Sequence, residues 1–380
     1  MDVYYATTTP GLEQHCAEEI RSLLQAEYVR EVPGGVVFPC KHYTDVLKLK
    51  SVDCLSAFVT ELRNLNTSDF LLQRLREYPM ENIDDEHIPF QRALQLYYSI
   101  FTPKTNTVDF SSECLRYRVT CTRSGKHTFT SPQAAGNLGF GIGNRFTKWK
   151  VDLKNYELEF VLHIHQDTAV IGLCLAQELS NRNRAPPLFD VVTALRPSTA
   201  YLLCQYADIR PYMTVCDPMC GIGTIPIEGS LSHPNVKFIG GDIFMESIQQ
   251  ARENWRFSVS TAPTGTVLQK TDFFVWDASK LPLADKSVDV FICDLPFGMR
   301  HGTYRQTRKL MPKFMAEVHR SLTDDGKAIL LTIESKQIRK NLNQMDGFPQ
   351  LYEHSSTAVS IGGYIACLFD IRKVAKIANT

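Results

Sequence analysis

No run in the 380-residue sequence approaches the roughly 18 consecutive apolar residues that a membrane-spanning helix requires. That absence argues against a membrane protein of the helical kind. Also missing is a basic segment followed by an apolar one at the start, Met1-Asp2-Val3-Tyr4-Tyr5, so no secretory leader is expected. Charge of one sign is lacking too, with 41 basic and 41 acidic residues, which at first speaks against a nucleic-acid partner. Finally, the sequence lacks paired, short-spaced metal ligands. The tight spacings Cys114/Cys121 and Cys216/Cys220 stand alone, and no structural metal is indicated.

What is present is the make-up of a globular protein, with 44% hydrophobic and 22% charged residues. Its length calls for two or three domains. Eleven cysteines are scattered, several in strand-like apolar runs such as those around Cys216, Cys293 and Cys367. Such thiols fit an intracellular protein better than a disulfide framework, so a cytoplasmic setting is expected, with the nucleus as an alternative. The neutral total also hides an uneven distribution. Lys104, Arg116, Arg118, Arg123, Lys126, Arg145, Lys148 and Lys150 face only Asp109 and Glu113 across residues 104–150, a local excess of six positive charges. Residues 61–86 carry seven acids against three basic residues. A local basic region can bind phosphates on a neutral chain, although a solvated charged face has the same composition.

Periodicity divides the chain into three stretches. Strands at Val3–Ala6, Gly35–Phe38 and Val52–Leu62 alternate with helices at Leu12–Leu24 and Tyr43–Leu49, which predicts a small ferredoxin-like α+β region. An acidic surface connection is expected at Pro79–Pro89. A strand at Leu115–Thr120, a helix from Ser131 to about Phe146, and a hairpin of Tyr156–Ile164 and Thr168–Leu175 turning at Gln166-Asp167 follow. His163 and His165 share one side of that hairpin and are read as surface or interface residues. After Arg184 the pattern becomes strand–helix–strand, the mark of a parallel sheet. Strands are expected at Met213–Cys216, Lys237–Gly241, Val288–Cys293 and Lys327–Thr332, with helices at Ile225–Leu231, Met245–Ser258 and Thr307–Leu322. Ser356–Ile361 and Tyr364–Asp370, parted by Gly362-Gly363, predict a closing hairpin.

Chemistry-bearing residues cluster at the ends of these parallel strands. Asp217-Pro218-Met219-Cys220-Gly221-Ile222-Gly223-Thr224 follows the first strand, and its glycines admit a ligand close to the backbone. Asp242, with Ile243 after it, closes the second strand and is placed to accept ribose hydroxyls. Asp277-Ala278 follows a third strand and could accept from an adenine amine. Three acids around a glycine loop with no lysine make a poor phosphate cradle and a good site for a cationic nucleoside. S-adenosyl-L-methionine therefore fits better than NAD or ATP. Further along, Asp294-Leu295-Pro296-Phe297 places a carboxylate, a turn and a ring after a buried strand. A strand ending in a proline turn would look the same. As a site, it suits a planar base with an exocyclic amine.

Together these residues resemble a known family. Asp217-Pro218-x-Cys220-Gly221-x-Gly223-Thr224, Ile227-Glu228 and Asp294-Leu295-Pro296-Phe297 are similar to motifs of THUMP-domain class I RNA methyltransferases. The nearest likeness is to the eukaryotic guanosine N2-methyltransferases that act on tRNA. Arg118-Val119-Thr120-Cys121, Phe129-Thr130-Ser131 and Lys148-Trp149-Lys150-Val151-Asp152-Leu153 resemble the THUMP core, and Leu195-Arg196-Pro197-Ser198 the segment entering the catalytic domain. Leu295 departs from the Asn/Asp-Pro-Pro-aromatic form common in amine methyltransferases and agrees with the guanosine subgroup. The resemblance implies a Rossmann-like α/β fold with a mostly parallel seven-stranded sheet and a terminal antiparallel hairpin. It implies a ferredoxin-like region at 1–103, a THUMP domain at 104–180, a linking segment at 181–211 and a methyltransferase domain at 212–380.

The activity expected is formation of N2-methylguanosine in tRNA, at an acceptor-stem guanosine of the position-6 type. Asp294, with a carbonyl at Leu295 or Pro296, would hold the N2 amine while Phe297 stacks on the flipped base. Arg196, Ser198, Asp217, Pro218, Cys220, Gly221, Gly223, Thr224, Asp242, Ile243, Asp277, Ala278 and Asp294 are the candidate cofactor contacts. Arg116, Arg118, Arg123, Lys126, Lys148, Lys150, Arg182 and Arg184 are the candidate RNA contacts. A small zinc-binding activator subunit that adds a strand to the sheet is the protein partner the resemblance implies. Two other readings stand beside this one: the same chemistry on a small nuclear RNA, and a non-catalytic RNA-binding protein that keeps the fold.

Overall fold

The computed structural model describes residues 1–81, 89–101, 113–176, 189, 194–262, 268, 271–296, 304–344 and 352–373. Its contacts divide the chain into two compact units. One holds Met1–Thr7 and Ala17–Leu179, the other Thr8–Cys16 and Ser180–Thr380.

The first unit is built on eight strands: β1 (Asp2–Thr7), β2 (Arg30–Val32), β3 (Gly35–Cys40), β4 (Cys54–Leu62), β5 (Arg116–Ser124), β6 (Lys150–Val151), β7 (Leu158–His165) and β8 (Thr168–Ala176). They form one sheet in the order β2-β3-β1-β4-β8-β7-β5-β6. Strands from the expected ferredoxin-like region and from the expected THUMP region therefore share a single ladder, joined where β4 pairs antiparallel with β8. The helix Ser131–Arg145 starts on a capping box, with Thr130 and Gln133 each bonding the other's backbone. Tyr117 on β5 reaches it with a hydroxyl bond of 2.7 Å to the Gly139 carbonyl. Phe90, Phe160 and Leu138 fill the core on that side of the sheet.

Three expectations are corrected in this unit. The helix predicted to reach Leu49 spans only Tyr43–Val46. Pro79 is buried in a short 3₁₀ turn, so the expected surface connection begins inside the fold; residues 82–88 lie outside the described part. His163 is not a surface residue. Its ring packs edge-on against Tyr5 with centroids 5.5 Å apart, and burial pushes its pKa down to about 4. The strand alternation holds, but Tyr5 of β1, remote in sequence, packs against His163 on that side of the hairpin.

The second unit carries β9 (Thr214–Asp217), β10 (Lys237–Asp242), β11 (Asp272–Val275), β12 (Val288–Asp294), β13 (Leu322–Thr332), β14 (Tyr352–Ile361) and β15 (Tyr364–Lys373). Their order is β11-β10-β9-β12-β13-β15-β14. The first five run parallel, β15 enters antiparallel beside β13, and β14 pairs with it as the predicted hairpin. Continuous apolar runs such as Val290-Phe291-Ile292-Cys293 suit strands covered on both faces. The small N-terminal segment of this unit lies along β14. Ser360 N–H donates to the Pro10 carbonyl at 2.9 Å, and the Thr9 and Thr199 hydroxyls meet at 2.8 Å. Gly11 sits at φ +97°, where a Cβ would lie 2.2 Å from the Ala358 carbonyl oxygen, so only glycine fits. No helix among the described residues is long and apolar enough to cross a membrane.

Candidate active site

Four neighbouring strands of the second unit present acids at their carboxyl ends. Asp217, Asp242 and Asp294 are the last residues of β9, β10 and β12, and Asp277 lies two residues beyond β11. Across the sheet the order is therefore Asp277, Asp242, Asp217, Asp294. The chain runs outward from β9 in one direction to β10 and in the other to β12. Between them lies the switch point at which open α/β sheets bind ligands.

The loop after β9 is shaped by backbone geometry. Gly221 and Gly223 adopt φ of +52° and +87°, which L-residues rarely hold. Gly223 opens the helix Thr224–Ser232. A Cβ built on Gly221 meets nothing within 4 Å, so the space above it is open to a ligand. Gly240 and Gly241 serve another purpose: a Cβ on Gly241 would sit 1.9 Å from the Trp276 indole. Trp276 in turn donates its indole N–H to the Pro218 carbonyl at 3.0 Å, bracing the loop from beneath. This tryptophan was missed by sequence reasoning. Its signal was its place directly before Asp277.

The acids differ in their environments. Asp242 is fixed by two amides, Gly221 N–H on one oxygen and Phe244 N–H on the other, each at 3.0 Å. Asp217 is buried, and burial pushes its carboxyl well above the usual range. The nearby charges of Asp294 and Asp242 add to that rise, while the Met219 amide and the Cys293 thiol oppose it. Asp277 is exposed, and the amide and hydroxyl of Ser279 hold it below the usual carboxylate range. Burial and the same acids push the thiols of Cys220 and Cys293 up, so they act here as small apolar groups.

The Asp294 turn explains its own sequence. Leu295 is buried and its amide donates to the Leu331 carbonyl at 2.9 Å, extending the β12–β13 ladder past Asp294. A proline at this position has no N–H to give, which is a physical reason for Leu295 where related motifs carry proline. Asp294 and Pro296 are half-buried, and Phe297 lies outside the described residues. Around the site Ala278 and Ser198 are buried, Thr224 is half-buried, and Arg196 stands exposed at the start of the helix Pro197–Tyr206. Ile243 follows Asp242 with 59% of its surface exposed.

These residues fit a cationic nucleoside cofactor. Several carboxylates converge on a loop with neither lysine nor arginine, and the buried Asp217 gains most from a neighbouring positive charge. The flanking Ile243 offers apolar surface to a base, and Asp242 offers carboxylate oxygens to ribose hydroxyls.

In the first unit the basic residues separate into two groups. The guanidinium of Arg118 bonds the buried Glu159 at 2.7 Å and lies 4.0 Å from the Tyr156 ring. Arg123 packs toward Phe129, and Arg116 pairs with Glu157 at 3.2 Å. Lys126, Lys148 and Lys150 are exposed. Arg182 and Arg184 lie outside the described residues.

Comparison with known proteins agrees with this architecture. Residues 92–173 match the THUMP domain, and residues 184–363 match the RMKL-like, methyltransferase domain. The chain carries a THUMP domain followed by an RMKL-like methyltransferase domain. It is 32% identical over 279 residues to the human tRNA (guanine(6)-N(2))-methyltransferase THUMP3, covering 70% of this chain and 53% of that protein. It is 30% identical over 227 residues to the human U6 snRNA (guanine-N(2))-methyltransferase THUMPD2, covering 59% of this chain and 42% of that protein. The chain thus spans about half the length of the curated relatives it matches. Among solved structures, TrmN from Thermus thermophilus superposes with a TM-score of 0.68 at 23% identity, covering 98% of this chain and all of that one. That likeness shows a shared fold.

Proposed function

We propose that this THUMP-domain methyltransferase transfers the methyl group of S-adenosylmethionine to the exocyclic N2 of a guanosine in tRNA, at an acceptor-stem site of the position-6 type. The observation that carries the reading is Asp294 at the end of β12, beside the loop and acids of β9 and β10. S-adenosylmethionine supplies an activated methyl group, held by Asp217, Asp242, Asp277 and the Gly221–Gly223 loop. Arg196, Ser198, Pro218, Cys220, Thr224, Ile243 and Ala278 border it. The lone pair of a guanine N2 amine is delocalised into the ring and is poorly nucleophilic. The Asp294 carboxylate accepts one N–H, and the carbonyl of Leu295 or Pro296 accepts the other. That arrangement turns the lone pair toward the methyl group and offsets positive charge as it develops. Phe297 stacks on the base, which must leave its duplex to reach the site.

The first unit docks RNA by shape and phosphate contacts. Lys126, Lys148 and Lys150 are the leading candidate contacts, with Arg116, Arg118, Arg123, Arg182 and Arg184 as further candidates. A second reading is supported by the relative named for U6 snRNA: the same chemistry on a small nuclear RNA. A non-catalytic RNA-binding role is disfavoured, because the glycine loop and the acids are all in place. The zinc-binding activator is assigned to the β11 end of the sheet. There Phe274 and Val275 are 46% and 42% exposed on β11, one of the two outermost described strands of this sheet, close in sequence to Trp276 of the site. The cytoplasm is the proposed location, with the nucleus as alternative; none of the eleven cysteines is in a disulfide.

The deciding experiment incubates the chain, with and without the activator, with labelled S-adenosylmethionine and either a tRNA pool or U6-type RNA. Digestion should release N2-methylguanosine from tRNA. Label confined to the U6-type RNA would move the reading to the small nuclear substrate. No transfer to either RNA would sink the catalytic assignment.

A further inference from the structure

Cys54 opens β4, and Cys174 lies near the end of β8, the strand beside it. Their sulfurs are 3.9 Å apart, although 120 residues separate them in sequence. The pairing here is irregular: Ser56 stands opposite Cys174 while Leu55 stands opposite Ala176, so the register shifts between two adjacent rungs. Cys54 and Ser56 project to one face of β4, which is the face that meets Cys174. The Ser56 hydroxyl lies 4.0 Å from the Cys54 sulfur. Both cysteines are half-buried, so a small oxidant can reach them.

We propose that Cys54 and Cys174 are a redox-active dithiol that closes to a disulfide on exposure to a hydroperoxide. The Cys54 thiolate attacks one peroxide oxygen, breaking the O–O bond; with a proton, hydrogen peroxide yields Cys54 sulfenic acid and one water. The Cys174 thiol then attacks the Cys54 sulfur, forming the S–S bond and releasing the second water. In sum, two thiols lose two hydrogens and one peroxide becomes two waters.

Chemistry around the two residues favours this pair. The Cys174 thiol and the Ser56 hydroxyl hydrogen-bond to Cys54 and hold its pKa below the usual thiol value, against burial and the opposing charges of Glu159 and Asp53. By contrast, Cys204, Cys216, Cys220 and Cys293 are buried, and burial raises their pKa values. Burial also pushes Cys121 up to about 11. Thiolate fraction and access both decide which cysteine reacts. The two sulfurs already lie 3.9 Å apart on diagonal positions of adjacent strands, so closing to the roughly 2.05 Å of an S–S bond needs a shift of about 2 Å. The cross-link would join the two halves of the eight-stranded sheet, β2-β3-β1-β4 to β8-β7-β5-β6, at their only shared ladder among the described residues.

The test treats the folded chain with stoichiometric hydrogen peroxide, blocks remaining thiols, and maps peptides without reduction. A Cys54–Cys174 linked peptide, two hydrogens lighter than its separate halves and released by dithiothreitol, is expected. In Cys174→Ser, a sulfenic-acid probe such as dimedone should instead label Cys54. Oxidation should raise the unfolding midpoint of the wild-type chain by on the order of 5 °C and leave Cys174→Ser unchanged. Unlinked Cys54 and Cys174 peptides, Cys54 joined to another cysteine, or Cys54 driven directly to sulfinic acid in the wild type would each overturn the proposal.

Discussion

The Asp242 carboxylate accepts the amide N–H of Gly221 at 3.0 Å, tying the end of β10 to the loop that follows β9. This bond fixes one wall of the site without using up the acid. Asp242 keeps further acceptor capacity on both oxygens, since an ionised carboxylate offers about four lone-pair positions. Asp242→Asn keeps the shape but can turn an amide group toward the Gly221 N–H. We expect S-adenosylmethionine affinity to fall at least tenfold, with a smaller change in stability, as read by calorimetric titration and thermal unfolding.

Asp294 should act on chemistry more than on cofactor binding. Asp294→Ala is expected to lower kcat by roughly 10²- to 10³-fold, the scale of losing one preorganised partner of developing charge. Cofactor affinity should move far less. Persistent turnover in this variant would remove Asp294 from the mechanism.

Asp217 gives the site a pH signature. Its folded carboxyl is raised well above the unfolded value, so the folded state holds a proton that the unfolded chain releases. Its contribution to stability is therefore fully present below the unfolded pKa, about 3.9, and is lost as pH rises from there toward the folded value. Asp217→Asn should stabilise the cofactor-free chain at neutral pH, and the gap from wild type should narrow as pH falls toward 4. Binding of a cationic cofactor should release a proton from Asp217. Titration in buffers of different ionisation enthalpy measures that release directly.

His163 predicts the opposite slope. Burial lowers its pKa to about 4, so the neutral ring is the folded form. Its contribution is present above the unfolded value of about 6.5 and is lost as pH falls from there to the folded value. A shift of that size corresponds to about 3 kcal/mol at most. His163→Phe should flatten the stability profile between those limits, as followed by denaturant unfolding at a series of pH values.

Two basic residues in the first unit should part ways. Arg118→Ala leaves the buried Glu159 without its ion pair and should cost about 3 kcal/mol of stability. Lys150→Ala should leave stability nearly unchanged, weaken tRNA binding, and reduce the salt slope of log K by roughly 1. Filter binding across a salt series separates the two. On the partner side, Phe274→Asp should abolish co-purification with the zinc-binding activator while leaving the free chain folded, as judged by circular dichroism.

Much of the second unit was legible before any coordinates. A buried parallel strand is a continuous apolar run, and the first acid after it marks the strand end. Asp217, Asp242 and Asp294 were therefore placed at one edge of the sheet by local pattern alone. The glycines at 221 and 223 were equally legible, because their left-handed backbone is a local property. Local pattern did not reach contacts between distant segments. Arg118 reads as a free cation until Glu159, on the adjacent strand β7, is seen beneath it. His163 reads as a surface residue until Tyr5 covers it. Trp276 is one more aromatic until its indole is found bracing Pro218. The sequence alone determined strand ends, glycine turns and the acids they carry, because these depend on neighbours along the chain. Tertiary structure decided which charges are already paired, which rings are buried, and which thiols meet, because strand pairing brings together residues that no periodicity connects.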